Sequence, residues 1–138
     1  MKILYNKKLN QSNVGYHFHK EKAHKVNDFH QTFDHYKKTP LVSLKELANH
    51  LNVKNIYVKD ESYRFGLNAF KALGGSYSIG KVLANLLKKD MSEISYEYLI
   101  SKECKEKIGD VTFITATDGN HGRGVAWVAN ELNQNQQH

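Results

Sequence analysis

The sequence predicts an α/β fold, a parallel sheet with helices packed against it. Val111–Thr117 (Val-Thr-Phe-Ile-Thr-Ala-Thr) is an unbroken run dominated by β-branched residues, the composition of a strand covered on both faces. Between Ala69 and Lys89, positions 73, 77, 80, 84 and 87, joined by 79, 82, 83 and 86, make a wide apolar stripe at the helical period. The elements read from such patterns alternate as strand, helix, strand, helix, and that alternation belongs to a parallel sheet.

In chain order, Met1–Lys38 is polar and histidine-rich without a sustained period, so it reads as a loosely structured amino-terminal arm, with the domain proper running from 39 to 138. Pro40, the sole proline, biases Thr39 towards an extended conformation. Leu41–Leu51 then carries apolar residues at 41, 44, 47, 48 and 51, the spacing of a helix, with Ser43 and Glu46 set as a capping box. Asn55–Lys59 is a short strand-forming run, and an irregular stretch, Asp60–Asn68, follows it. The helix from Ala69 holds Gly74-Gly75 in its first turns. Each glycine costs about 1 kcal/mol there relative to alanine, which implies that another backbone comes close. Asp90–Asp110 is charged and locally helical in composition. After the second strand, the turn Asp118-Gly119-Asn120-His121-Gly122 gives way to apolar residues at 125, 128, 129 and 132, restoring the helical period. Asn133–His138 is polar, carries no structure signal and does not continue into an apolar strand.

Bulk properties exclude several classes of function. At 138 residues, 40% hydrophobic and 25% charged, the chain has the size and balance of one soluble domain. No apolar stretch nears the ~20 residues of a membrane span, and the basic start leads into no signal core, so a cytoplasmic protein without a membrane partner is expected. Cys104 is the single cysteine, which excludes an internal disulfide. His17, His19, His24, His30 and His35 lack any accompanying cysteine or carboxylate at ligand spacing, so no metal site is expected. The net charge of +6 and pI near 9.3 come from lysines spread along the chain and interleaved with acids, a solvated surface rather than a nucleic-acid footprint.

Two segments place chemistry on a turn between a strand and a helix, the usual position of ligands in open α/β sheets. In Ser62–Gly75, Lys71 stands at the start of the long helix between Phe70 and Leu73. Burial there, together with the helix amino-terminus, would favour the neutral amine that imine chemistry needs, whereas the alternative is a lysine that snorkels to solvent. In Thr115–Gly124, three glycines among Asp118, Asn120 and His121 open a turn at a helix amino-terminus, with backbone donors suited to a polar or anionic ligand. The alternative is a tight turn capped by Asp118 or Asn120. The glycine spacing matches neither a Walker loop nor the dinucleotide fingerprint.

Taken together, Lys59-Asp60-Glu61-Ser62, Phe65-Gly66-Leu67-Asn68-Ala69-Phe70-Lys71 and Thr115–Trp127 resemble the corresponding blocks of the diaminopropionate ammonia-lyase family, a branch of the fold type II (tryptophan synthase beta-like) pyridoxal-phosphate enzymes. The resemblance implies part of their three-layer αβα parallel-sheet fold, pyridoxal 5′-phosphate as cofactor, and elimination from 2,3-diaminopropionate to give pyruvate and ammonia. It makes Lys71 the Schiff-base lysine and base for the α-proton, Asn120 the hydrogen-bond partner of the cofactor 3′-oxygen, and Asp118 a second acid-base group. The implied partners are a small amino acid substrate and, at full length, a second copy of the chain. Asp118, where serine and threonine dehydratases usually carry a small residue, favours the diamino substrate over theirs. The resemblance extends from roughly Phe29 to Leu132, and the family's glycine-rich phosphate loop belongs to a later region. The sequence therefore reads as an incomplete, amino-terminal portion, and a non-catalytic remnant or interaction fragment is the alternative to a lyase.

Overall fold

The computed structural model describes residues 19–117 and 119–137. The first helix, α1 (Lys20–Gln31), lies against the helix that follows Lys71 and delivers Phe29 and His30 to the core, with Phe33 just beyond its end. A loosely structured arm is therefore not what residues 20–31 form. Their apolar face is narrow, and the polar residues around it hide the period. The rest of the expected arm, residues 1–18 with His17, lies outside the described residues. Phe29 fits because residue 80 is glycine: a Cβ there would stand 2.6 Å from the tip of the Phe29 ring.

Strand β1 (Leu41–Ser43) pairs antiparallel with β2 (Tyr57–Lys59), placing Leu41 opposite Lys59 and Ser43 opposite Tyr57, and helix α2 (Lys45–His50) connects them. The helix expected from Leu41 thus starts at Lys45. Extended backbone set by Pro40 continues into a ladder that takes the groups of residues 41–43. With Ser43 in the strand, the Ser43–Glu46 capping box does not form, and Leu44 holds the cap position without a side-chain hydrogen bond. The Tyr57–Lys59 strand pairs with β1 rather than joining the strand at 112–114 in one sheet.

Helix α3 (Lys71–Leu87) follows the expected stripe and ends in a left-handed Lys88, φ 56°. Ala72, Gly75, Ser76, Ile79, Gly80, Leu83 and Ala84 are buried along it, whereas Val82 and Leu86 remain exposed. The charged stretch after it forms α4 (Tyr96–Ile100) and α5 (Lys102–Ile108). Ser95 and Ser101 cap them, accepting the Tyr98 and Cys104 N–H groups at 3.1 Å.

Strand β3 (Thr112–Ile114), helix α6 (Gly119–Glu131) and strand β4 (Asn135–Gln137) form a βαβ unit whose two strands are parallel, with Thr112 opposite Asn135 and Ile114 opposite Gln137. The polar end expected to lack structure is thus a strand. Its pairing is made by backbone groups, beginning with the Asn135 N–H on the Val111 carbonyl at 3.0 Å. The adjoining Gln134 side chain accepts the Val111 N–H at 3.1 Å. Helices α3 and α6 cross closely because residue 124 is glycine: a Cβ there would meet the Ala72 backbone at 3.2 Å. The close approach implied by Gly74-Gly75 is therefore made by Gly124 on Ala72, with Gly75 in ordinary contact at 3.9 Å and Gly74 open. Leu83, Leu99, Cys104, Val128 and Leu132 complete the core between these helices.

Candidate functional site

The segment leading to Lys71 is built around a buried cation. Arg64 is 4% exposed, and all three nitrogens of its guanidinium donate hydrogen bonds. Nε and Nη2 donate to the two Glu61 carboxylate oxygens at 2.8 and 3.1 Å, Nη1 donates to the Lys37 carbonyl at 2.9 Å, and Nη2 also reaches Thr39 Oγ1 at 3.3 Å. Its charge also lies over the Tyr36 ring, 4.9 Å from the centroid. The Lys59 ammonium and the Thr39 hydroxyl complete the cluster. The Arg64 hydrogen bonds, outweighing the burial that opposes them, hold the Glu61 carboxyl down at about 2.

Two 3₁₀ turns occupy Glu61–Gly66, broken where Arg64 and Phe65 leave helical geometry. Phe65 is left-handed at φ 50°, as are Gly66 at 69° and Asn68 at 55°. Glycine takes such a φ freely, but a bulky side chain pays on the order of 1–2 kcal/mol, so the surroundings must hold Phe65 in place. They do so with a stacked contact, the Phe65 and Trp127 rings lying 4.6 Å apart and inclined by 28°. Trp127 is on α6, so the lysine-bearing loop is tied to the helix that opens with Gly119-Asn120.

Lys71 is the first residue of α3, on the wall of a cavity of about 810 Å³. The wall also carries Phe70, Val82, Phe113 and Ile114 as apolar surface, Gly74 and Gly75 as bare backbone, and Thr115 and His121 as polar groups. A Cβ at Gly74 would touch nothing within 4 Å, so the space beside the lysine is clear. A planar aromatic ligand with polar substituents and a reactive carbonyl fits this set: an amine at one end, apolar faces, a hydroxyl and an imidazole, in a volume usual for cofactor sites.

The two turns singled out in the sequence do meet here, since the Lys71 backbone lies 3.5 Å from where a Gly124 Cβ would stand. Lys71 itself is exposed rather than buried, because the cavity is open beside Phe70 and Ile114, which are 61% and 72% exposed. Asn120 is exposed in the first turn of α6 and is not on the cavity wall, where its neighbour His121 stands. Asp118 lies outside the described residues. Gly119 has φ 65°, a conformation open to glycine, and it begins the helix.

Two functional groups were not picked out from sequence. Arg64 sits in a run that looks like an exposed loop, and its partners Lys37 and Thr39 are remote in the chain. His30, considered only as one of several histidines, is 3% exposed. Its Nε2 lies 3.0 Å from the Leu73 carbonyl and 2.9 Å from Ser76 Oγ, fastening α1 to the first turns of α3. Burial, with a smaller push from Arg64, lowers its pKa below the ordinary 6.5 despite the bond to Leu73. Among the described residues, no group of three or more His, Cys, Asp or Glu is placed to hold a metal ion.

A family model described as "Pyridoxal-phosphate dependent enzyme" matches residues 32–135. The diaminopropionate ammonia-lyase of Salmonella typhimurium is 54% identical over 110 residues, covering 80% of this chain and 27% of the relative. That of Escherichia coli K12 is 50% identical over 119 residues, covering 86% and 29%. The crystal structure of the Escherichia coli enzyme in complex with D-serine superposes with a TM-score of 0.79 at 49% identity, covering 86% of this chain and 30% of that one. Its apo form gives 0.77 at 50% identity, covering 85% and 31%. The chain thus spans less than a third of the length of these relatives.

Proposed function

The chain belongs to the pyridoxal-phosphate-dependent enzymes, and from that membership we propose that it forms the lysine-bearing wall of a lyase that eliminates ammonia from 2,3-diaminopropionate. The observation that carries this reading is the position of Lys71, at the start of a helix and on a cavity wall shared with the residues around the Thr115–Gly124 turn. The identity of 50–54% to ammonia-lyases supports the substrate. The cofactor, when bound, supplies an electron sink for the charge left on the α-carbon. Lys71 would hold it covalently through Nζ and, once freed by substrate, accept the α-proton at that atom. The resemblance assigns the ring's 3′-oxygen to Asn120, which stands in the first turn of α6 next to His121 rather than on the cavity wall itself. Phe70, Val82 and Ile114 would pack against the apolar faces of the ring. Asp118 would be a second acid-base group on the opposite side of the substrate.

Treating the purified chain with pyridoxal phosphate and borohydride, followed by peptide mapping, tests the first assignment, and Lys71 is the expected site. A preferred label on any other lysine would overturn it. For the reaction, residues 19–137 are grafted in place of the matching segment of the Escherichia coli enzyme. The graft is expected to release pyruvate from 2,3-diaminopropionate, and Lys71→Ala to abolish release. In the same graft, Asp118→Asn is expected to slow one stereoisomer by ~10²–10⁴-fold and to spare the other, as loss of a positioned acid-base group does. Small, equal losses for both would make Asp118 a turn residue.

A further inference from the structure

We propose that Arg64 is a positioning residue for Lys71, its buried fork with Glu61 and Thr39 fixing the left-handed turn that delivers Lys71 to the cavity; this rests on the reading of Lys71 given above. A guanidinium with all three nitrogens engaged and the residue 4% exposed is held in one orientation. The Arg64 backbone carbonyl accepts the Leu67 N–H at 2.9 Å, closing a turn in which Phe65 and Gly66 are left-handed, with Asn68 left-handed just beyond it. That turn presses Phe65 onto Trp127 and brings the chain to Lys71. The end of α3 that bears the lysine and the helix that bears Asn120 are thereby held in one register from outside the cavity, by groups that do not line it. The anchor, moreover, is made largely by residues 37–39 and 59–61, which belong to the β1–β2 hairpin and its flanks, so that hairpin acts as the base on which the lysine loop is mounted.

A purely structural arginine, when replaced, lowers stability and leaves the choice among lysines alone. A positioning arginine alters that choice in chains that remain folded. The chain and its Arg64→Met, Arg64→Lys and Glu61→Gln variants are treated with pyridoxal phosphate and borohydride, and the label at Lys71 is read against Lys102, whose side chain is 91% exposed and which stands on α5, outside the turn. Emission from Trp127, the single tryptophan, reports the Phe65 stack. In Arg64→Met the Lys71-to-Lys102 ratio is expected to fall about tenfold or more, since misplacing a reacting group by roughly 1 Å can cost ~10²-fold, with Trp127 emission shifted towards that of solvent-exposed indole. Arg64→Lys is expected to show the same loss, because an ammonium keeps the charge without the fork. An unchanged ratio in a folded Arg64→Met, or full recovery in Arg64→Lys, overturns the proposal. Should Arg64→Met not fold, Glu61→Gln decides: a reduced ratio supports the proposal and an unchanged one overturns it. Absence of label at Lys71 in the unsubstituted chain would instead strike the assigned function, and Trp127 emission then judges Arg64, an unchanged spectrum in Arg64→Lys counting against it.

Discussion

At the scale of the residue, His30 makes the fold sensitive to acid. Its folded pKa is lowered by burial, so the folded chain favours the neutral ring while the unfolded chain protonates it near 6.5. Above that value His30 exerts no penalty. As pH falls from 6.5 towards the folded value, the unfolded state binds the proton first and stability declines, by about 1.4 kcal/mol for each unit of separation. Glu61 works lower down: its contribution is present above 4.5 and is lost as pH drops from 4.5 towards 2. Thermal unfolding between about pH 7.5 and 5 is therefore expected to show a falling midpoint that His30→Gln flattens. A slope unchanged by that substitution would assign it elsewhere. Lys71 was visible in the sequence because it lies in a contiguous block, whereas His30, and Arg64 apart from its bond to nearby Glu61, take their meaning from partners 25 or more positions away.

At the scale of the element, the crossing of α3 and α6 depends on the absence of one methyl group. Gly124→Ala would set a Cβ against the Ala72 backbone, which cannot turn aside as a flexible side chain can. A cost of ~1–3 kcal/mol is expected in denaturant melts, as for other overpacked sites. Gly74→Ala, with open space around it, should leave stability unchanged or raised by the better helix propensity of alanine. Equal effects of the two would contradict the crossing geometry. The same comparison explains what the sequence made legible. Helix α3 and the body of α6 were readable because their periodicity is local, whereas α6 begins at Gly119, inside the expected turn. Strand β1 was hidden inside an apparent helical period, and β4 inside a polar tail, because each exists by backbone pairing with a strand distant in the chain. Gly74-Gly75 signalled a close approach but could not say that Gly124 is the residue that makes it.

At the scale of the whole molecule, no helix among the described residues is long and apolar enough to cross a membrane. Apolar side chains nonetheless face outward in two groups: Leu41, Val42, Tyr57 and Val58 on the β1–β2 hairpin, and Phe70, Val82 and Ile114 around the cavity. Two-stranded sheets leave such faces without cover. The isolated 138-residue chain is expected to self-associate, its sedimentation coefficient rising with concentration, and Ile114→Asp with Val58→Asp should suppress this without loss of helical circular dichroism. A monomer at all concentrations would show these groups to be harmless. The seat of Gly124 on Ala72 also imposes an order on synthesis. Residue 72 leaves the ribosome some fifty residues before residue 124, a delay of about 3–10 s at ~5–20 residues per second. During that interval the face of α3 destined for α6 is bare in the nascent chain. Chaperones that recognise apolar surface are therefore expected to engage this face in the seconds before α6 emerges.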